Sequence, residues 1–355
     1  MKVFLFVLVI SVCAGGQISM VGGTGATNGT LTGPPIQEVV FGDSVSAGAG
    51  ANSPAFFNSS AGLVMQHYGW EQRNYAVGGT GIGDTQQFQH QFPARSVAGQ
   101  NTLTLLGIND VFFNPSGTLD LTNWGNAAMA NILYGSVVYS DNIRARDGAW
   151  TLVGTWTNGS SGVAVYDNDG TKQTSTVGDT ATISVSGTTV YLVYLAFTSG
   201  DVSFNVSIDS VSQGSFSNTG LAQSFTLTNY LYYPVAFRFS GLTSISHSLK
   251  VTYSSGTTPL ILMWVTGNAN ANKPKYFVGN CIPEQTNTNA TDVANLNAKL
   301  LTITNALKGD GLKVYYVDAN SVVDPVNDMC SQVHPCQSGY NKIAIKFESL
   351  IDANP

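Results

Sequence analysis

The stretch VVFGDSVSAG, residues 39–48, ends an apolar run abruptly at Gly42, Asp43 and Ser44 and continues with small residues. A short apolar run bounded by glycine is typical of a buried β-strand. The turn after it is either an ordinary tight turn or a turn that holds the Ser44 hydroxyl at the end of a strand. Only the rest of the chain can decide between these two interpretations.

Further short apolar segments with glycine-bearing turns follow this stretch. We expect strands at 36–41, 74–77 and 102–106 and a helix at 61–68. Near the end of the chain, KYFVGN and LKVYYVD are expected strands, and TDVANLNAKLLTITNALKGDG and SGYNKIAIKFESLI are expected helices. Alternating strands and helices predict a parallel sheet with crossover helices. The first of these two helices has an apolar face formed by Val293, Leu296, Leu300, Ile303 and Leu307.

From about residue 150 to residue 265 the pattern is different. Segments such as ATISVSGTTVYLVYLAF and HSLKVTYSSG alternate apolar with polar residues between Gly, Ser and Asn turns, which is typical of an antiparallel β-sandwich. We therefore predict an α/β fold, a three-layer parallel sheet with flanking helices, that is interrupted by a jelly-roll-like β-sandwich insertion. The α/β domain is assigned to 36–140 and 269–355, and the insertion to 141–268.

The N-terminal residues 1–16, MKVFLFVLVISVCAGG, combine one Lys with a short apolar run and small residues. This composition predicts a secretory signal peptide, since the run is too short to span a bilayer as a helix. A lipoprotein signal at Cys13 and a buried N-terminal strand are weaker alternatives. Residues 17–35 are expected to form a linker or arm, and the mature protein is expected to be secreted, at the cell surface or on a virion.

The composition limits the class of partner. The net charge is −6, only 10% of the residues are charged and no run of Lys or Arg occurs, so a nucleic-acid partner is not expected. Stable membrane insertion after signal removal is not expected either. The surface must consist largely of neutral polar groups, which suits an uncharged or weakly charged partner.

After signal removal the chain keeps Cys281, Cys330 and Cys336. One disulfide with a free thiol is the natural outcome in an oxidising compartment, and Cys330 with Cys336 closes the shortest loop, although the sequence does not fix the pairing. The four histidines are scattered without metal-ligand spacing, so neither a metal nor a cofactor is expected.

Three further segments contain groups that could act together with Ser44. NYAVGGTGIGD (74–84) has a glycine-rich turn that can expose backbone N–H groups, and LLGIND (105–110) ends with the side-chain amide of Asn109. QVHPCQSGYNKIA (332–344) places His334 just before the last helix. A hydroxyl, an imidazole and two kinds of hydrogen-bond donor at strand ends are the groups that acyl transfer requires.

Together these motifs resemble the four sequence blocks of the GDSL or SGNH hydrolase family: Gly42-Asp43-Ser44, Gly79, Gly107-Ile108-Asn109-Asp110 and His334-Pro335. The resemblance covers roughly residues 36–125 and 270–352. It implies that Ser44 attacks an ester carbonyl and that His334 accepts and returns the proton. It also implies that the oxyanion is held by the backbone N–H groups of Ser44 and Gly79 and by the side chain of Asn109. Gly79 is chosen over Gly78 because it stands five residues after Asn74, which matches the spacing in the family.

The chain departs from the family pattern at one position. The family has Asp three residues before the His, and this sequence has Ser331 there. Either Asp328 orients His334, or a backbone carbonyl holds the imidazole and the enzyme works as a dyad. Asp324 and Asp318 are poorer candidates, and Asp318 is expected to be structural.

The sandwich suggests a substrate class. Aromatic and amide side chains of the insertion suit sugar rings, although for any single aromatic residue a place in the core of the sandwich is the stronger expectation. These residues are Trp150, Trp156, Tyr166, Asn168, Asp169, Tyr230, Tyr232 and Tyr233. The favoured function is a secreted serine esterase that removes small acyl groups, acetyl first, from a polysaccharide. The alternatives are a lipid or generic short-chain esterase and an inactive glycan-binding or adhesion protein.

Overall fold

The computed structural model describes residues 38–82, 100–112, 117–137, 141–159, 170–197, 200–217, 232–269, 273–286 and 288–355. The expected signal peptide and arm, residues 1–35, lie outside the described residues. All of the described residues belong to one compact unit.

The described α-helices are α1 (Ser60–Tyr68), α2 (Ile108–Phe112), α3 (Leu121–Ser136), α4 (Ala290–Gly309) and α5 (Gln337–Asp352). A 3-10 turn covers Asn320–Val322. The described strands are β1 (Glu38–Gly42), β2 (Gln72–Asn74), β3 (Asn101–Leu105), β4 (Ile143–Arg144), β5 (Thr151–Val153), β6 (Thr157–Asn158), β7 (Lys172–Thr174), β8 (Thr180–Ser186), β9 (Thr189–Phe197), β10 (Val202–Ile208), β11 (Val211–Ser217), β12 (Tyr232–Ser240), β13 (Ser246–Gly256), β14 (Leu260–Gly267), β15 (Lys275–Gly279) and β16 (Val314–Val317).

Five strands form a parallel sheet in the order β16-β15-β3-β1-β2. The chain order reverses between β1 and β3, and ligand sites of open α/β sheets lie outside the carboxyl ends of the strands at such a reversal. Ser44 follows the carboxyl end of β1, and Asn109 follows that of β3. The topology therefore places these two segments at one edge of the sheet.

The expected α/β elements are present, with shifted ends. The strand expected at 74–77 lies earlier, at Gln72–Asn74. The backbone N–H groups of Tyr75 and Val77 still donate to the carbonyl oxygens of Val40 and Gly42, so the segment follows β1 beyond the regular strand.

Helices cover the parallel sheet in two pairs. Helix α1 packs against α5, and α3 packs against α4. The predicted apolar face of α4 is confirmed, since all five of its apolar residues are buried. None of the helices in the described ranges is both long and apolar enough to cross a bilayer.

The strands between residues 143 and 267 form two antiparallel sheets. One has the order β11-β10-β13-β8-β5 and the other the order β12-β9-β14-β7-β6, with β4 paired to β14. Strands β10 and β13 alternate buried with exposed residues, as expected for a sheet with one face in water. Strands β9 and β14 are buried along nearly their whole length, which requires cover on both faces.

The second cover of the six-stranded sheet comes from the α/β part. Helix α3 packs on β12 and also on β15 of the parallel sheet. The Trp264 indole N–H donates to the Tyr134 hydroxyl at 2.5 Å, and the Tyr276 hydroxyl donates to the Asn131 side-chain oxygen at 2.6 Å. Helix α3 is thus buried between a parallel and an antiparallel sheet, and the two parts share one core.

A partly buried ion pair joins the two parts at a second place. Asp310, directly after α4, receives two hydrogen bonds of 2.6 Å from the Arg238 guanidinium of β12. The hydroxyls of Tyr191 and Thr189 on β9 donate to the same carboxylate at 2.5 and 3.0 Å. Four hydrogen bonds to one carboxylate therefore tie the sandwich to the α/β part.

Candidate active site

Ser44 stands in a tight turn that begins as β1 ends. Gly42 has a φ of +135°, and a Cβ at that position would lie only 2.2 Å from Ser46 Oγ, so the turn requires glycine. The carbonyl oxygen of Ser44 accepts the Ala49 N–H at 2.8 Å, and that of Asp43 accepts the Ala47 N–H at 3.0 Å. These bonds fix the backbone, and the Ser44 side chain is 8% exposed.

The His334 ring lies directly against this hydroxyl. His334 Nε2 is 2.9 Å from Ser44 Oγ, which is hydrogen-bond distance. The histidine sits in a loop closed by the Cys330–Cys336 disulfide, the pairing favoured by loop length, while Cys281 is a buried free thiol. The structure thus brings together the predicted hydroxyl and the predicted imidazole.

The second ring nitrogen of His334 contacts a hydroxyl. His334 Nδ1 lies 3.0 Å from Ser331 Oγ, the residue that replaces the family's Asp. Burial lowers the pKa of His334 below its usual value of 6.5. The described residues include no ion pair between His334 and a carboxylate, in contrast to His67 and His247.

The expectation that Asp328 orients His334 is corrected by these contacts. The Asp328 carboxylate is buried and accepts from the Lys342 ammonium at 2.5 Å and from the Asp324 N–H at 2.8 Å. The Lys342 ammonium, with the hydrogen bond from Ser338, holds the pKa of Asp328 below its usual range against the opposing effect of burial. Asp328 therefore organises the turn before α5 and does not contact the imidazole.

The two poorer candidates also have structural contacts. Asp324 accepts the N–H groups of Val326 and Asn327 at 2.8 and 3.2 Å, within its own turn. Asp318 accepts the Asn280 side-chain N–H at 2.9 Å, in agreement with its expected structural role.

Asn109 is buried and opens α2 at the end of β3. One N–H of its side-chain amide donates to the carbonyl oxygen of Thr80 at 2.9 Å. The amide nitrogen carries two hydrogens, so this bond uses only one of its two donor positions. The bond ties the β3 end to the glycine-rich turn that follows β2.

Asp110, to which the sequence motif assigned no role, strengthens the same link. Its buried carboxylate accepts the Ile82 N–H at 3.1 and 3.2 Å and the Trp124 indole N–H at 3.0 Å. The sequence signal was its place directly after Asn109 in the GIND block. One side chain thereby joins the glycine-rich turn, α2 and α3.

The glycine-rich turn lies beside Ser44. A Cβ built on Gly78 would lie 3.6 Å from Ser44 Cβ. Gly79 is exposed and has a φ of +79°, a left-handed conformation that favours glycine. The turn therefore presents backbone close to the hydroxyl.

Asp43, next to Ser44, is a buried carboxyl. Burial raises its pKa to about 7, and this outweighs the lowering effect of backbone N–H groups such as that of Val45, 2.8 Å from Asp43 Oδ1. Asp43 therefore supports the turn from inside the protein.

Two of the sandwich aromatics that were expected to stack on sugar rings are core residues. Trp150 and Tyr233 are buried, with exposures of 6% and 1%, so they belong to the core and cannot stack on a sugar. Trp156 is partly buried against the core. Tyr166, Asn168, Asp169 and Tyr230, together with the Tyr232 side chain, lie outside the described part of the chain.

No group of three or more His, Cys, Asp or Glu side chains within the described ranges is arranged as a metal site. No protein-family model and no curated protein matches the sequence.

Solved structures similar to this chain include several esterases. A member of the lipolytic G-D-S-L family from Veillonella parvula is 9% identical, with 89% of this chain and 98% of that chain covered and a TM-score of 0.41. A two-domain esterase active on acetylated mannans is 10% identical, with coverages of 65% and 89% and a TM-score of 0.34. A family two carbohydrate esterase from Cellvibrio japonicus is 16% identical, with coverages of 50% and 51% and a TM-score of 0.25. Similarity at this level concerns only the arrangement of the backbone.

Proposed function

We propose that this protein is a serine esterase that hydrolyses small acyl esters, acetyl esters first, on a carbohydrate. The observation that carries the proposal is the 2.9 Å contact between His334 Nε2 and Ser44 Oγ at the carboxyl edge of a parallel sheet. A serine hydroxyl is a weak nucleophile at neutral pH, and an adjacent general base makes it reactive.

The reaction would proceed through an acyl-enzyme. Ser44 Oγ attacks the ester carbonyl carbon while its proton passes to His334 Nε2, and the imidazolium then protonates the leaving alcohol. Water attacks the acyl-enzyme in the second half, with His334 as the base, and the carboxylic acid leaves as Ser44 regains its proton.

The oxyanion of each tetrahedral intermediate needs hydrogen-bond donors. We assign this role to the backbone N–H groups of Ser44 and Gly79 and to the second N–H of Asn109. The burial of Asn109 and the closeness of the glycine turn to Ser44 support the assignment. Removal of one such donor typically costs about 3 kcal/mol of transition-state stabilisation.

A polysaccharide substrate is supported by the low charged fraction of 10% and by a sandwich that is packed on the α/β part. The apolar N-terminal segment and the Cys330–Cys336 disulfide support secretion. A generic short-chain ester is the second candidate substrate, and the burial of Trp150 and Tyr233 favours it because these two rings are lost as sugar platforms.

The test is acetate release from a panel of acetylated polysaccharides and hydrolysis of p-nitrophenyl acetate, each with the wild type and Ser44→Ala. Ser349→Ala, at an exposed serine of α5, is the matched control and should behave as the wild type. Ser44-dependent release from a glycan supports the proposal. Cleavage of the small ester alone favours the second candidate, and no cleavage of either substrate would refute the esterase function.

A further inference from the structure

We propose that Ser331 is the positioning residue of His334, an uncharged hydroxyl in the place where hydrolases of this kind carry a carboxylate. The inference rests on the proposed function for its catalytic consequence. Its structural content is the 3.0 Å contact between Ser331 Oγ and His334 Nδ1, on the opposite side of the ring from Ser44.

Proton placement on the ring explains why this contact matters. To accept the Ser44 proton, Nε2 must be unprotonated, so the neutral imidazole must carry its hydrogen on Nδ1. An Nδ1–H group needs an acceptor, and a serine hydroxyl offers two lone pairs. Ser331 Oγ can accept this hydrogen at 3.0 Å, and it therefore supports the tautomer that leaves the Nε2 lone pair facing Ser44.

The hydroxyl and the ring belong to one short turn, which fixes their distance. The N–H groups of Cys330 and Ser331 both donate to the carbonyl oxygen of His334, at 2.9 and 3.3 Å. The disulfide closes this turn from outside. On the inner side Gly50 packs against it, since a Cβ at Gly50 would lie 3.2 Å from His334 Cβ and 2.5 Å from the Pro335 carbonyl oxygen.

The carboxylates of the surrounding segments are bound elsewhere. In the turn after β1, Asp43 accepts from Val45, and before the loop Asp328 accepts from Lys342. In the segment after β15, which contacts the loop through the Gln285 N–H, Glu284 accepts from Asn289. The 330–336 loop itself contains no charged residue except His334 when protonated.

An uncharged partner has a specific electrostatic consequence. A carboxylate at Nδ1 stabilises the imidazolium and raises the pKa of the histidine, whereas a hydroxyl orients the ring without this effect. His334 thus keeps the pKa lowered by burial. The Ser331 hydroxyl stabilises the imidazolium less than a carboxylate would, and the His334 base therefore stays neutral in mildly acidic solution.

The experiment compares Ser331→Ala, Ser331→Thr and Ser331→Asp with the wild type, with Ser349→Ala as the control. Kinetics on p-nitrophenyl acetate are measured from pH 4 to pH 8. Imidazole ¹⁵N spectra of histidine-labelled protein, assigned with His334→Gln, report the tautomer and pKa of His334 whether or not the protein has esterase activity.

We expect Ser331→Ala to lower kcat by roughly 10- to 100-fold with little change in KM, because general acid–base catalysis contributes about 10²- to 10⁴-fold. Its spectrum should show a mixed tautomer in place of protonated Nδ1. Ser331→Thr should restore most of kcat, and Ser331→Asp should move the acidic limb of the pH profile to higher pH.

An unchanged His334 tautomer and pKa in Ser331→Ala would overturn the positioning role, whatever the activity. A loss of kcat that Thr does not restore, with an unchanged spectrum, would also overturn it and indicate a purely structural effect. Failure of the esterase function is recognised separately, because the wild type would then show no Ser44-dependent hydrolysis while the spectra still report on Ser331.

Discussion

His334 Nε2 meets Ser44 Oγ at 2.9 Å although 290 residues separate the two in sequence. The long insertion does not disturb this contact, because both residues depend on the parallel sheet and its loops. Several consequences of the arrangement can be measured.

The rate should depend on pH through His334. His334 must be neutral to accept a proton, and burial lowers its pKa, so the midpoint of the acidic limb of kcat/KM should lie below pH 6.5. The measurement is a pH profile with p-nitrophenyl acetate. A midpoint above 6.5 on the acidic side would contradict the assigned environment.

Asp43 should make the fold less stable as pH rises. Its folded pKa of about 7 lies above the usual value of 3.8, so between these values the folded state binds more protons than the unfolded state. The stability from this group is complete below pH 3.8 and decreases up to about pH 7, by as much as roughly 4 kcal/mol from the shift alone.

Asp43→Asn retains an oxygen acceptor for the Val45 N–H without a buried charge. Thermal unfolding of this variant should change less between pH 5 and pH 8 than unfolding of the wild type. Equal pH slopes for the two proteins would show that Asp43 does not titrate in this range.

Asp110→Asn should destabilise the protein and lower kcat. The amide can accept only through one oxygen, so either the Ile82 or the Trp124 N–H would face an NH₂ group, at a cost of about 1–3 kcal/mol. Asp120→Asn is the control, because Asp120 caps α3 at the surface and Asn caps helices equally well. Similar denaturation midpoints for the two variants would argue against this role of Asp110.

Replacement of both Cys330 and Cys336 by Ser should lower stability and activity together. The disulfide closes a short loop, worth roughly 2 kcal/mol from chain entropy, and that loop carries Ser331 and His334. Dithiothreitol should reproduce the loss in the wild type and leave the double variant unchanged. Full activity of the reduced wild type would show that the loop holds its shape unaided.

Arg238→Met should weaken the joint between the sandwich and the α/β part. Asp310 is 6% exposed and would lose two charge-assisted hydrogen bonds, and the 28% exposure of Arg238 moderates the expected cost to about 2–3 kcal/mol. Lys250→Met, at an exposed residue of β13, is the matched control and should be nearly neutral. Calorimetry should show one unfolding transition for the wild type and for the Lys250→Met control, since the parts share a core.

The sequence was sufficient for the parallel strands, for α1, α4 and α5 and for the central pair of the site, whereas helix α3 (Leu121–Ser136) was not predicted. Periodicity located α4 because its apolar face is complete, and the turn at Gly42 located Ser44 because only glycine fits there. The role of Ser331 could not be predicted in this way, since it depends on how the four-residue turn from Ser331 to His334 directs two side chains. Asp328 was the wrong choice for a similar reason. Its carboxylate accepts a hydrogen bond from Lys342, which lies more than one helical turn after the start of α5.

Burial of the sandwich aromatics was likewise beyond sequence reasoning. Trp150 and Tyr233 are residue types that are common on sugar-binding surfaces. They are core residues here because neighbouring elements cover them. Such cover comes from parts of the chain far away in sequence, which local patterns do not contain.

The burial of β9 and β14 on both faces limits how this architecture can change. The sheet that contains β9 and β14 is covered by α3, so this face is not accessible to a polysaccharide. Glycan contacts would instead be made by the outer face of the antiparallel sheet β11-β10-β13-β8-β5 and by the loops. The sandwich also cannot be exchanged between proteins as an independent module, because excision would leave two large apolar surfaces in water. The sequences of helix α3 and of the sheet that contains β9 and β14 can therefore change only through compensating substitutions in both.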